Sequence, residues 1–123
     1  MNETRLEVPD NDETHPIPHL GKIDVAVNVR NGGYYSIVVS RPLVNDEVTR
    51  ERLIRKLDNY LNDFYSPGFS ETNGVPMEGK LRIFVRLHAE AAPGILAFLE
   101  ACRPWLADKK VQLEIQRLPP AGN

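Results

Sequence analysis

The sequence predicts an α+β fold, an α/β two-layer sandwich in which a four-stranded mixed sheet carries two helices on one face. Four segments alternate apolar and polar residues, as strands with one buried face do, and they span residues 22–30, 34–41, 80–88 and 111–116. Two longer segments, 45–65 and 93–108, repeat apolar residues every three or four positions, as amphipathic helices do. The element order is therefore ββαβαβ.

The strands also predict on which side of the sheet the helices lie. A sheet covered on both faces would show continuous apolar runs, whereas these four strands are apolar on one side only. Both helices therefore cover one face and leave the other open. Two right-handed crossovers that step in the same direction predict the strand order 1-2-3-4, with 2-1-3-4 as the alternative if the first strand lies inside the sheet. In the first order, the first strand is antiparallel to the other three.

Size and composition restrict the class of protein. A chain of 123 residues with 41% hydrophobic and 26% charged residues is typical of one soluble globular domain. The formal net charge of −2 provides no overall positive field for nucleic acid or anionic lipid. Cys102 is the single cysteine, which excludes an intramolecular disulfide and a cysteine-based zinc site. Because no basic leader or long apolar span is present, we expect a cytoplasmic protein without membrane association.

The two ends of the chain carry no periodic pattern. Residues 1–20 combine acidic residues with three prolines and few apolar residues, so we expect a flexible N-terminal tail. The single domain then spans residues 21–118, and residues 119–123 form a C-terminal tail. His15 and His19 stand near acidic residues, but their spacing fixes no coordination geometry, and no metal site is predicted.

The first two strands are predicted to form a β-hairpin around Asn31-Gly32-Gly33, residues that tolerate a tight reversal. Alternation in the first strand is interpreted as directing its aliphatic side chains to the core: Ile23, Val25, Val27 and Val29. Its other residues would then lie on the open face: Lys22, Asp24, Ala26, Asn28 and Arg30. In the second strand the predicted core residues are Tyr35, Ile37 and Val39.

The first helix is predicted to follow Asn45 as its N-cap and to end at Pro67-Gly68. Its buried stripe consists of Leu53, Ile54, Leu57, Leu61 and Phe64. Arg52 and Lys56 fall among the charged residues outside this stripe, a face that we expect to be solvated.

The connection 66–79 is predicted to hold no helix or strand. Connections of this length are disordered or functional, because most in small domains have about four to six residues. Its large apolar residues are Phe69 and Met77, and we expect them to pack at the edge of the core.

The third strand, residues 80–88, is predicted to be central because helical segments flank it on both sides. The last helix is expected to begin at Pro93, at the first helical position, where the missing N–H is not needed. Its apolar stripe keeps its phase through Pro104 and predicts a kinked helix to about Asp108. Residues 111–116 form the last strand.

The open sheet face is the predicted interface. Alternation places on it an aromatic and apolar group flanked by arginines: Tyr34, Val38, Arg82, Phe84 and Arg86. Exposed apolar and aromatic residues ringed by polar ones are typical of protein interfaces. The favoured hypothesis is a non-enzymatic module that forms a homodimer or binds a protein partner through this face, without a cofactor.

Two alternatives remain open. Aromatic and arginine side chains on a sheet also suit single-stranded nucleic acid, although the acidic chain and the absence of a Gly/aromatic RNA-binding motif disfavour such binding. The long connection 66–79 alternatively suggests a small enzyme with a site beside it. No catalytic residues are predicted, because Cys102 lies on a buried helical stripe and nothing in the sequence places His88 beside it.

Several segments between Gly21 and Leu118 carry a resemblance to other proteins. These are the hairpin, Leu57-Asp58-Asn59-Tyr60-Leu61, Ser66-Pro67-Gly68-Phe69 and the stretch from Phe98 to Leu106. Together they resemble a group of small uncharacterised bacterial proteins. The resemblance implies the ββαβαβ domain and a bacterial source, and it implies no activity and no site residues.

Overall fold

Residues 7–119 are described by a computed structural model and form four strands and three helices. In chain order these elements are β1 (Val25–Val29), β2 (Gly32–Val39), α1 (Glu47–Phe64), α2 (Pro67–Asn73), β3 (Leu81–Leu87), α3 (Pro93–Asp108) and β4 (Gln112–Arg117). No helix in this part of the chain has the length and apolar character needed to cross a membrane.

The sheet has the order β1-β2-β3-β4, which confirms the preferred prediction. β1 is antiparallel to β2, and β2, β3 and β4 run parallel to one another. The crossover from β2 to β3 contains α1 and α2, and the crossover from β3 to β4 contains α3. The mixed α+β architecture with one covered face is therefore the one that the sequence predicts.

The core lies between the helices and one face of β2, β3 and β4. On β3 the alternation is strict, since Leu81, Ile83, Val85 and Leu87 are buried and the residues between them are half-buried. On β2 the ring of Tyr35 stacks on Phe64 of α1 at a centroid distance of 4.2 Å. Phe69 of α2 meets Phe64 edge-on at 5.5 Å and completes this aromatic cluster.

The predicted core face of the first strand is wrong for Val25, Val27 and Val29, whereas Ile23, which precedes β1, packs against the core as predicted. Val29 pairs with Gly32 across a two-residue turn, so Val27 lies opposite Tyr34 and Val25 opposite Ser36. Residues directly opposite one another in a sheet point to the same face, and the register of a hairpin is set by its loop length. The valines of β1 therefore lie on the open face with Tyr34, whereas Ala26 and Asn28 point to the helix side.

The prediction of a flexible tail for residues 1–20 does not hold for residues 7–20. Ile17 and Leu20 are buried in the core, and the carbonyls of this segment accept hydrogen bonds from α1. The buried Arg52 guanidinium donates to the carbonyls of Ile17 at 2.8 Å and Pro9 at 2.6 Å. Residues 1–6, and 120–123 of the predicted C-terminal tail, lie outside the described residues.

The two basic residues assigned to a solvated face are buried for the same reason. Arg52 binds the N-terminal segment, and the Lys56 ammonium donates to the His19 carbonyl at 2.6 Å. Lys56 also forms a 3.0 Å ion pair with Asp24, just before β1. Burial lowers the pKa of the Lys56 ammonium, while the Asp24 carboxylate acts in the opposite direction.

The connection 66–79 contains a short helix that was not predicted. Ser66 caps α2 by accepting a hydrogen bond from the Phe69 N–H, and Pro67 occupies the first turn. Phe69 is buried as expected, whereas Met77 is exposed.

The N-cap of α1 is Asp46, one residue later than predicted, and its carboxylate accepts from the Thr49 N–H at 2.8 Å. α3 continues through Pro104, as predicted.

Candidate interaction surface on the sheet

The open face is built from the residues of each strand that point away from the helices. The pairing register aligns Tyr34 with Arg82, Ser36 with Phe84, and Val38 with Arg86 on neighbouring strands. β1 and β4 extend this surface on either side. We call the following residues the open face: Val25, Val27, Val29, Tyr34, Ser36, Val38, Arg82, Phe84, Arg86, Gln112, Glu114 and Gln116.

Two aromatic rings occupy the centre of the open face. Tyr34 and Phe84 meet edge to face, with centroids 6.4 Å apart and ring planes at 80°. The Arg82 guanidinium lies over the Tyr34 ring at 6.0 Å, and the Arg86 guanidinium lies over the Phe84 ring at 5.6 Å. Edge-to-face pairs and cation–π contacts both stabilise such clusters. The centre is thus ordered by its own side chains.

Exposed valines lie on the β1 side of these rings. The exposed fractions of Val25 and Val27 are 44% and 50%, and that of Val38 on β2 is 36%. An isolated exposed aliphatic residue is ordinary, but these three lie on adjacent strands beside an aromatic pair. The apolar part of the open face therefore extends from β3 to the edge of the sheet.

The β4 side of the open face is polar. Glu114 accepts from the Arg82 guanidinium at 3.4 Å, and both side chains are partly exposed. Gln112 and Gln116 flank Glu114 on the same strand. Arg86 contrasts with Arg82, because its Nε is buried without a hydrogen-bond partner among the described residues.

All five residues of the predicted interface share this one surface. Tyr34, Arg82, Phe84 and Arg86 are half-buried at its centre, and Val38 is exposed beside them. Val25 and Val27 are the residues that sequence reasoning missed. The signal that could have located them is the spacing of the hairpin, because a two-residue turn pairs odd-numbered residues of β1 with even-numbered residues of β2.

The other candidate chemistries receive little support from the geometry. Burial raises the pKa of the Cys102 thiol, which disfavours the reactive thiolate. Nδ1 of His88 accepts from the Glu90 N–H at 3.0 Å within its own turn. Residues 7–119 hold no group of three or more histidine, cysteine or acidic side chains placed to bind a metal ion.

A shallow depression lies beside the 66–79 connection. It is lined by Asp58, Leu61, Asn62, Tyr65, Pro76, Asp108, Lys109 and Lys110. The Tyr65 hydroxyl donates to the Lys109 carbonyl and so is already engaged. Within residues 7–119, no ion pair joins the acidic and basic side chains that line the depression.

Comparisons with known proteins gave no match: no family model, no curated protein and no solved structure is significantly similar to this chain.

Proposed function

We propose that this protein is a non-enzymatic interaction module that self-associates, or binds another protein chain, through the open face. The observation that carries the proposal is the apolar surface formed by Val25, Val27 and Val38 beside the Tyr34–Phe84 pair. Burying such a surface releases about 25 cal/mol for each Å² of apolar area removed from water. The surrounding arginines and Glu114 provide the polar rim that protein interfaces carry.

The pre-ordered centre of the open face supports binding by a protein. Side chains that are immobilised before association lose less conformational entropy when a partner covers them. Tyr34, Phe84 and their two arginines already hold one another in the free chain. A partner therefore meets an apolar surface whose central side chains are already ordered.

Single-stranded nucleic acid is a weaker candidate for the same surface. Base stacking needs accessible ring faces, whereas the rings of Tyr34 and Phe84 carry Arg82 and Arg86 over them. The Arg82 charge is partly neutralised by Glu114, and the chain as a whole is acidic. Salt-dependent binding of an oligonucleotide that is lost in Arg82→Ala and Arg86→Ala would favour this alternative.

Light scattering over a concentration series tests the proposal. We expect the wild type to gain mass with concentration, and Val38→Glu and Phe84→Glu to stay folded but reach a smaller mass than the wild type, because each would bury a charge in the open-face contact. Val44→Glu is the matched control, since Val44 is 61% exposed and lies outside the sheet. If the control loses association as fully as the two open-face variants, or if these two associate like the wild type, self-association through the open face is wrong.

A further inference from the structure

Within residues 7–119, the outer edge of β1 presents backbone groups that no neighbouring strand pairs. Gly33 lies opposite Asn28, and its N–H donates to the Lys80 carbonyl on the β3 side at 3.0 Å. In an antiparallel ladder, opposite residues either exchange both hydrogen bonds or both point away from each other. The N–H and C=O of Asn28 therefore point outward, and alternation gives the same direction for Ala26. The N–H and C=O groups of Val25, Val27 and Val29 point inward and pair with β2.

This edge lacks the protection that natural sheets give to an edge strand. Charged side chains, prolines, bulges or a covering helix normally block such edges, because unpaired strands attract other strands. The segment Val25–Val29 contains no charge and no proline, and Ala26 and Asn28 are exposed. Within residues 7–119, the ladder of β1 is formed with β2 alone.

We propose that a second copy of this chain pairs with β1, edge to edge and antiparallel, to form one continuous eight-stranded sheet. The inference goes beyond the proposed function, because it adds a second contact between copies of this chain. It assigns the first association step to the β1 edge and leaves most of the open face free for a further partner.

The register of this pairing follows from symmetry. A twofold axis perpendicular to the sheet keeps both open faces on the same side, so residues opposite one another must both be odd or both be even. The axis then passes through position 26, 27 or 28 of the strand. Only the axis at Val27 uses all five residues, with Ala26 opposite Asn28 and Val25 opposite Val29 of the second copy. Ala26 and Asn28 of the two chains then exchange four backbone hydrogen bonds.

The sequence of β1 indicates why the occupant is a second copy. Val25-Ala26-Val27-Asn28-Val29 is nearly palindromic, so with the axis at Val27 each valine of one chain lies opposite a valine of the other. Val25 and Val27 are 44% and 50% exposed, and covering such apolar side chains with one another removes them from water. The other two registers leave Val29 or Val25 without a facing valine.

The joined sheet would also enlarge the open face. The exposed valines of both β1 strands would meet at the junction, with Val27 opposite its own copy and Val25 opposite Val29. Their apolar side chains would form one row between the two Tyr34–Phe84 pairs. A further partner would therefore encounter a surface of twice the width.

Disulfide trapping tests the proposed register directly. The two Val27 residues would form a non-hydrogen-bonded pair with Cα atoms about 4.5 Å apart, within the range of about 4.4–6.8 Å that a disulfide spans. We expect Val27→Cys, in a Cys102→Ala background, to form a covalent dimer on mild oxidation. Val38→Cys in the same background is the matched control, since the two Val38 residues lie far apart in an edge-paired dimer.

The outcomes separate the inference from the proposed function. If Val38→Cys is trapped and Val27→Cys is not, the copies meet face to face, which overturns the edge pairing and supports the open face. If neither variant is trapped and the wild type stays monomeric by light scattering, both the edge pairing and self-association are overturned.

Ala26→Pro provides a second test with a folding control. Proline removes an outward N–H that β2 does not use, so we expect a folded chain that no longer dimerises. Ala26→Ser keeps the N–H and should dimerise like the wild type. A folded Ala26→Pro variant, verified by its circular dichroism spectrum, that dimerises as well as the wild type would overturn the edge pairing.

Discussion

β1 and β4 are the two edge strands of one sheet, and they differ in how far the rest of the chain buries them and hydrogen-bonds to their outer backbone groups. β4 buries Leu113 beneath α3, and the Arg103 guanidinium donates to the Leu113 carbonyl. β1 buries none of its five residues, and no side chain of residues 7–119 is recorded on its outward backbone groups. The β4 edge is stabilised and closed by its own helix, whereas the β1 edge is exposed on both faces.

Different interactions attach the two edge strands to the rest of the domain: apolar contacts hold β4, and polar contacts hold β1. β4 is anchored by apolar contacts along its length, with Ile115 packing at the edge of the core. β1 is anchored at its start by α1, through the Lys56–Asp24 ion pair and the Tyr60 hydroxyl, which accepts from the Asp24 N–H at 3.0 Å. An edge anchored only at one end stays available along the remaining strand. We infer that the contrast is what makes β1 the associating edge.

The largest effect is expected from Asp24→Ala. This change leaves the Lys56 ammonium buried without its carboxylate, and breaking a buried ion pair costs about 3–5 kcal/mol. Denaturant unfolding measures the loss, with Asp24→Asn as the control that retains an acceptor for the Val38 N–H. A loss as small as that of a surface substitution would show that β1 is not anchored by this pair.

Leu113→Ala and Val27→Ala compare the two strands directly. We expect Leu113→Ala to lower the free energy of unfolding by about 2–5 kcal/mol, because it opens a cavity beneath α3. Val27→Ala should change it by less than about 0.5 kcal/mol at concentrations where the chain is monomeric. Denaturant midpoints measured in parallel check the difference, and equal losses would contradict it.

Tyr60→Phe tests the polar anchor of β1 and its pH dependence. The variant leaves the Asp24 N–H and the Ser36 carbonyl without their hydroxyl partner, which costs about 1–3 kcal/mol. Burial raises the pKa of Tyr60 above its ordinary value of 10.0, so its contribution is complete below pH 10 and is lost as the pH rises further. Thermal melts from pH 8 upward, in about half-unit steps, should show a shallower alkaline decline in Tyr60→Phe than in the wild type. Identical slopes would contradict this role.

Arg103→Met should have the smallest effect on stability and a visible effect on assembly. The methionine keeps the apolar stem but leaves the Leu113 carbonyl uncapped, and we expect a loss of about 1 kcal/mol or less. With both edges open, the variant should reach a larger mass than the wild type by light scattering at the same concentration. Unchanged mass would show that Arg103 does not close the β4 edge.

The sequence was sufficient for the fold but not for the buried side of β1. Alternation shows that the two faces of a strand differ, but it does not show which face is buried. On β3 the apolar face is the buried one, as predicted, because all four of its aliphatic residues lie in the core. On β1 the apolar face is the exposed one, because the hairpin turn decides the register and the helices do not cover this strand. A periodic pattern alone carries no information on either point.

The segment 7–20 could not be predicted from its own residues. Its carbonyls at Ile17 and His19 accept hydrogen bonds from Arg52 and Lys56, which lie 35 or more positions further along the chain. Basic side chains on a helix are usually solvated, so the sequence gives no reason to expect these contacts. The short helix α2 was predictable, because Ser66 followed by Pro67 is a common start of a helix. The predicted residues of the open face lie together because β2 and β3 are adjacent and parallel, with Tyr34 beside Arg82 and Val38 beside Arg86.

Amide hydrogen exchange across a concentration series tests the central contrast most directly. We expect the outward N–H groups of Ala26 and Asn28 to exchange rapidly in dilute solution and to become protected as the concentration rises. The Val27 N–H, which pairs with β2, should be protected throughout and serves as the internal reference. Rapid exchange of Ala26 and Asn28 at every concentration, in a sample that light scattering shows to be dimeric, would contradict the edge pairing.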